Sequence, residues 1–319
     1  MHNDQGMTGG EVEAAVAQRY SSAARVVEPS LCCAVSYDPT LLEVIPERVI
    51  ERDYGCGDPS RHVQEADVVL DLGSGSGKTC FIASQVVGPK GRVIGVDAND
   101  EMLGLARGAQ GDVATAIGYN NVTFLKGRIQ DLALDLERLE RHLCSRSVSS
   151  LADWMSLEEE ITQWREQEPM VATGSIDIVV SNCVLNLVSQ SARGRLFAEL
   201  GRVLAPGGRA VISDIVANAD VPAHLQSDMT LWSGCVSGAF REDRFLEAFS
   251  AAGFHEVVCL ERQEDPWTVV EGIEFRSVTV QARAPGGLVE EATSSRGGHA
   301  VELDVMSGGG CCSPGGDPC

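Results

Sequence analysis

Apolar runs of strand length, each ending in a polar or small residue, recur along the middle of the chain and alternate with segments of helical periodicity. VVLDLG (68–73) precedes FIASQVV (81–87), RVIGVD (92–97) precedes EMLGLARGA (101–109), and VTFLKG (122–127) precedes LDLERLERHL (134–143). IDIVVSN (176–182) is followed by RGRLFAELGRVL (193–204), and RAVISDI (209–215) by a further helical region. Strands covered on both faces read as continuous apolar runs, and their alternation with helices means βαβ units. The pattern therefore predicts an α/β fold with a parallel sheet sandwiched between helices. Beyond it, REDRFLEAFSAAG (241–253) reads as a helix, and EVVCLERQ (256–263) and FRSVTVQA (275–282) as two strands with no helix between them. Such a pair runs antiparallel, so a C-terminal edge hairpin is expected.

The flanks read differently. EVEAAVAQRYSSAARVV (11–27) has helical spacing and is expected to be a lid or a packing element, followed by a loop-rich stretch to residue 66. SLEEEITQWREQ marks a helical insertion at 144–172. From 286 onward the composition turns to glycine and scattered acids without periodicity, which predicts a flexible tail. The expected organisation is an N-terminal helix with loops (1–65), a main α/β domain (66–285) and the tail (286–319).

Charge narrows the partners. A net charge of −21 leaves nothing to neutralise phosphates, so no nucleic acid and no anionic membrane surface is expected. No basic segment followed by an apolar one opens the chain and no apolar run spans a bilayer, so the expectation is a cytoplasmic protein. In that setting eleven cysteines point to thiol or metal chemistry ahead of a disulfide framework. Their spacing matches no zinc pattern. Cys80, Cys144 and Cys259 lie inside helix or strand patterns and read as small buried hydrophobes.

DVVLDLGSGSGKTCFIA (67–83) is a strand breaking into Gly73, Gly75 and Gly77 and then a helix, and Asp97 ends the next strand. Glycines there let a ligand approach the backbone, and a carboxylate at that strand end can accept from both hydroxyls of a ribose. NAD, ATP and S-adenosylmethionine all suit such a geometry. NAD prefers GxGxxG, which Lys78 interrupts, and the ATP loop lacks its first glycine, since Leu72 stands there. Asp71, immediately before the loop, repels phosphates and suits a cation, which favours S-adenosylmethionine.

On these residues the chain resembles the class I S-adenosylmethionine-dependent methyltransferases over 66–282, which implies a Rossmann-like seven-stranded sheet. The resemblance places Asp71 and the loop Gly73, Ser74, Gly75 and Gly77 at the methionine end of the donor, Asp97 and Ala98 at the ribose, and Met102, Ile129 and Gln130 around adenine. Asn182 joins that donor set. Arg128 stands where many members of that class carry an acid.

The acceptor side is marked by sulfur. SLCC, RDYGCGDPS, SNCVLNLV and LWSGCVSGAF put cysteines in loops or beside glycines, where small neighbours leave room for a ligand to reach them. Several soft thiolates at one point select a soft, thiophilic ion. No general base for an oxygen acceptor stands out, Asp214 being one candidate. These four motifs resemble, in order and context, the arsenite S-adenosylmethionine methyltransferases across about residues 30–282. They also resemble the branch associated with arsenosugar synthesis, whose tail carries cysteines as Cys311, Cys312 and Cys319 do here. The resemblance implies that Cys56, Cys183 and Cys235 bind trivalent arsenic, while Cys32 or Cys33 relays arsenic or closes a disulfide with Cys56. It implies arsenite or glutathione-bound arsenite as substrate, and glutathione or thioredoxin as the thiol reductant. A methyltransferase for a small organic acceptor and a non-catalytic metalloid-binding protein are the competing expectations.

Overall fold

The computed structural model describes residues 8–28, 31 and 35–284. All seven expected strands form: β1 (Val68–Leu72), β2 (Arg92–Asp97), β3 (Val122–Lys126), β4 (Ile176–Asn182), β5 (Leu204–Ala217), β7 (His255–Arg262) and β9 (Ile273–Arg283). Two short additions, β6 (Phe240–Arg241) and β8 (Thr268–Val270), pair with β5 and β9. The order is β3-β2-β1-β4-β5-β9-β7, parallel from β3 to β5, with β9 antiparallel to both of its neighbours. The C-terminal hairpin thus sits at the sheet edge with its second strand turned inward against β5, leaving β7 outermost.

Alternation along each strand sends successive side chains to opposite faces. Leu70 and Leu72 of β1 join Ile176 and Val179 of β4 and Leu196, Phe197 and Leu200 of the helix Arg193–Val203. On the other face Val69, Ile178 and Val180 meet Phe81 and Ile82 of the helix Lys78–Val87 and Leu103 and Ala106 of the helix Asp100–Ile117. An edge-to-face aromatic stack, Phe197 on Phe249 (5.0 Å) and Phe249 on Phe254 (5.8 Å), fills the first layer where the helix Glu242–Ala251 returns. Fully burying each such side chain contributes about 1.5–3 kcal/mol, so the sheet is a rigid base for the loops at its C-terminal edge. The insertion forms one helix, Leu151–Gln167, opened by a Ser150–Asp153 capping box.

Candidate active site

β1 ends in Asp71 and Leu72, and the backbone then turns through Gly73 (φ +67°), Gly75 (φ +52°) and Gly77 (φ +91°) into the helix Lys78–Val87. A Cβ on Gly73 would strike Val184, whereas Gly75 faces open space and is required by its left-handed φ alone. Gly77 caps the helix outside the cleft, its missing Cβ making room for Phe124. The cleft above this turn has a volume of about 340 Å³. Asp71, Gly73, Ser74 and Gly75 line the cleft together with Asp97, Ala98 and Met102 and with Ile129, Gln130 and Asn182.

Electrostatically the cleft awaits a cation with hydroxyl groups. Asp71 is buried, and burial pushes its carboxyl up to about 7 against the lowering effect of the Cys80 S–H, which donates to it at 3.2 Å. Asp97 accepts from the Gly75 and Asn99 backbone N–H groups, both at 2.8 Å, yet burial still raises its pKa. With the Ala98 N–H also donating to it, the carboxylate still has acceptor capacity for a further donor. The Ser74 hydroxyl, in the same cleft, is buried with no partner. These groups fit S-adenosylmethionine: carboxylates for a sulfonium, an ammonium and a diol.

The N-terminal helix Gly9–Arg25 is the roof of this cleft. Thr8 and Glu11 form a reciprocal capping box, and Glu13, Val16, Ala17 and Tyr20, one helical face, line the cleft. Asn99 Nδ2 donates to Ala17 O (3.1 Å) and Ser21 Oγ (2.9 Å), Gln130 Nε2 donates to Glu13 (2.9 Å), and Arg128 pairs with Glu13 at 3.1 Å. The cation at 128 is therefore met by an acid from the roof. Farther along, Arg19 donates to Thr230 O (2.7 Å) and Ser233 Oγ (3.0 Å), so one helix spans both the nucleotide-like end and the sulfur end. The spacing 13, 16, 17, 20 was the available sequence signal; which surface that face covers depends on the fold.

The sulfurs converge beside the donor cleft. Cys183 follows β4, its N–H extending the ladder to Ser213 O (2.8 Å), and it lines the cleft. Cys56 is disulfide-bonded to it, with the two Cα atoms 5.8 Å apart. Cys235 is a buried thiol outside that disulfide, its S–H donating to Cys183 O at 3.3 Å. The Tyr20 hydroxyl, kept protonated by burial, hydrogen-bonds the Cys235 sulfur. Cys183 (φ +61°) and Cys235 (φ +63°) are two of five non-glycine residues in the left-handed region among the described residues. That conformation costs roughly 1–2 kcal/mol per residue, and such strain concentrates at functional sites. Ile215, Val221, Leu225 and Phe275 pack with the three cysteines in one apolar cluster. Asp214, fully buried, has a carboxylate oxygen within 4.8 Å of the Cys56 and Cys183 sulfurs, and burial pushes its pKa up to about 7.

Other sulfurs fall differently from expectation. Cys80 is buried as expected, but it also bonds Asp71. Cys144 and Cys259 are exposed, the first at the end of the helix Leu136–Ser145 and the second on β7, whose side chains are largely uncovered. The sequence admitted a disulfide from Cys56 to Cys32 or Cys33; the bond observed joins Cys56 to Cys183. Cys32, Cys33 and the tail cysteines Cys311, Cys312 and Cys319 lie outside the described residues. No described helix is long and apolar enough to cross a membrane.

A parallel sheet closed by an inward antiparallel strand, with a glycine turn and a strand-end carboxylate beneath a donor-sized cleft, defines a methyltransferase domain. The chain belongs to the methyltransferase-domain family, whose model matches residues 64–253. Among its relatives are arsenite methyltransferases. That of Aquipseudomonas alcaligenes is 33% identical over 242 residues, which is 74% of this chain and 59% of the relative. That of Halobacterium salinarum is 34% identical over 240 residues, 72% and 50% of the respective lengths, and that of Mus musculus is 34% identical over 206 residues, 64% and 45%. The chain thus spans about half the length of these curated relatives. The crystal structure of an arsenic (III) S-adenosylmethionine methyltransferase from Chlamydomonas reinhardtii is also similar, at 28% identity and a TM-score of 0.61, covering 79% of this chain and 76% of that one.

Proposed function

We propose that this chain transfers a methyl group from S-adenosylmethionine to trivalent arsenic, supplied as arsenite or as glutathione-bound arsenite and held by cysteine sulfurs. The observation that carries the reading is the convergence of Cys56, Cys183 and Cys235 in a buried apolar cluster that meets the Asp71–Asp97 cleft at Cys183. When bound, S-adenosylmethionine supplies an electrophilic methyl on a sulfonium sulfur. Asp71 pairs with the ammonium, Asp97 takes the ribose hydroxyls, and Met102, Ile129 and Gln130 enclose the adenine.

Three thiolates hold arsenic pyramidally and leave its lone pair on the open side. With that side turned to the cleft, the lone pair forms the As–C bond while the donor's S–C bond breaks and its electron pair stays on sulfur. No proton leaves the acceptor, so the strand end offers a thiol in place of a base. Holding the reactants in line is worth roughly 7–11 kcal/mol, and the positive charge passes from the sulfonium sulfur to arsenic as the methyl group moves. The methylated arsenic is formally pentavalent. A pair of thiols can return two electrons to it by closing a disulfide, and the Cys56–Cys183 bond is the oxidised form of such a pair. Two of the three sulfurs are then unavailable until glutathione or thioredoxin reduces them, which suits a reducing compartment such as the cytoplasm.

Incubation of the reduced chain with arsenite, S-adenosylmethionine and a thiol, followed by speciation of arsenic, tests this reading. Methylated arsenic is the expected product; donor binding without it would favour a small organic acceptor, and arsenic binding without donor binding a sequestering protein.

Donor binding should also depend on pH. In the folded chain Asp71 titrates near 7, well above the ordinary carboxylate value, so the folded state holds a proton that the unfolded chain releases at lower pH. Its burial therefore costs stability as the pH rises through that window, and a bound cation offsets the cost. Pairing with the ammonium requires the ionised form. Affinity for the donor is expected to fall as the pH drops below about 7, approaching tenfold per unit, and its thermal stabilisation of the chain should be larger near pH 8 than near pH 6. Calorimetry across that range checks it; a flat affinity profile would remove Asp71 from the donor contacts.

A further inference from the structure

Asn182 closes β4 and immediately precedes Cys183. Its side-chain oxygen accepts from the backbone N–H groups of Cys56 (2.8 Å) and Gly57 (3.1 Å), and its amide nitrogen donates to Gly57 O (2.7 Å) and to the Tyr37 hydroxyl (3.2 Å). A primary amide has two acceptor sites and two donor hydrogens, and all four are used here. The orientation of the amide is fixed by its partners, because the two backbone N–H groups can face only oxygen and the carbonyl only nitrogen. The Tyr37 hydroxyl in turn donates to Gly57 O at 3.0 Å, and burial keeps that phenol protonated. The Tyr37 ring is held from below by the Lys78 ammonium, 3.6 Å from its centroid, and Lys78 is itself ion-paired with Asp53 of the Cys56 loop. The loop fits so closely that a Cβ on Gly55 would overlap the Asn182 amide and one on Gly57 the Ser213 hydroxyl.

We propose that Asn182 is a positioning residue for Cys56, acting with Tyr37 as a clamp that holds the Cys56 loop against the Cys183 strand end, and that it is not a ligand of the methyl donor. The donor pocket borders Asn182, but its amide has no hydrogen-bonding capacity left to offer there. The clamp brings two thiols from segments separated by 127 residues to bonding distance before any ligand arrives. The inference rests on the proposed function only for its consequence in turnover, since the clamp itself is a property of the two thiols.

The test is the equilibrium of the Cys56–Cys183 pair in glutathione buffers, in which the dithiol and oxidised glutathione exchange for the protein disulfide and two reduced glutathiones. The pair is followed by mass spectrometry of its own cross-linked peptide in the full-length chain, so the other cysteines do not contribute. The equilibrium constant reports the effective concentration of one thiol at the other. Asn182→Asp keeps the acceptors but cannot donate to Gly57 O, and is expected to lower that constant by about tenfold or more. Tyr37→Phe keeps the ring over Lys78, removes only the hydroxyl, and should lower it by about threefold. Affinity for S-adenosylmethionine should stay within about threefold of the unsubstituted chain in Tyr37→Phe, which lies outside the cleft lining and adds no charge to it. A constant unchanged in both would overturn the proposal. So would an Asn182→Asp chain whose thiol equilibrium is intact but whose donor affinity has collapsed. If Asn182→Asp does not fold, Tyr37→Phe decides by the same measure. The titration needs no arsenic, so absence of arsenite turnover would count against the functional reading alone.

Discussion

Cys183→Ser is expected to abolish methylation of arsenite and of methylarsenite alike, lowering turnover of each by roughly a thousandfold or more. Of the three site cysteines, Cys183 alone lines the donor cleft, so its sulfur is the ligand that fixes arsenic against the methyl group. Its left-handed backbone and its N–H bond to Ser213 O aim the side chain off the end of β4, and its carbonyl holds the Cys235 sulfur. Serine preserves the shape and the backbone bonds, but a hydroxyl is a hard ligand that does not compete for a thiophilic ion. Donor affinity should remain that of the unsubstituted chain, which separates loss of the acceptor ligand from collapse of the cleft. Arsenic speciation and donor calorimetry on the same preparation measure both. Retained activity on both substrates would sink the metalloid reading and promote a small organic acceptor.

The structure shows why some of this was legible from the residues and some was not. The parallel sheet was readable because strands buried on both faces carry continuous apolar runs, as Val68–Leu70 of β1, Val93–Val96 of β2 and Ile178–Val180 of β4 do. The donor wall was readable because its parts are local: a strand end, a glycine turn and a carboxylate one strand later. β5 begins at Leu204, five residues ahead of the apolar run, through a stretch containing Pro206 and Gly207 where the ladder to β4 slips register. That irregularity carries no periodic signal, and neither do the two residues of β6 or the three of β8. The exposure of Cys144 and Cys259 depends on what covers a helix or an edge strand, which a repeat pattern cannot say. Cys80 looked like a filler because its partner Asp71 lies across a turn, nine residues back. The loop cysteines were conspicuous beside their glycines. The reason for Gly55 and Gly57, a neighbouring Asn182 and Ser213 pressed onto the backbone, exists only once the chain is folded.

Substituting Cys56 should divide the substrates by valency. Arsenite offers three exchangeable positions, so a pyramidal site needs three thiolates, whereas methylarsenite has one position taken by carbon and needs two. Cys183 follows β4 and Cys235 follows the helix Met229–Ser233, and the two are joined by the 3.3 Å contact of one sulfur to the other residue's carbonyl. Cys56 reaches them from a separate loop, tied down by Asn182 and by the Ser277 hydroxyl, which donates to Cys56 O at 2.7 Å. Removing its sulfur leaves the other two in place. Cys56→Ser is therefore expected to lower arsenite methylation by about a hundredfold or more while keeping methylarsenite turnover within several-fold, the difference being one lost soft ligand. The variant also deprives Cys183 of its disulfide partner. Cys183 should then react with an alkylating reagent without prior reduction, a chemical check that the loop substitution has left the strand-end thiol accessible. Equal loss on both substrates would mean that all three sulfurs are needed whatever the valency, and equal retention that Cys56 holds no arsenic at all.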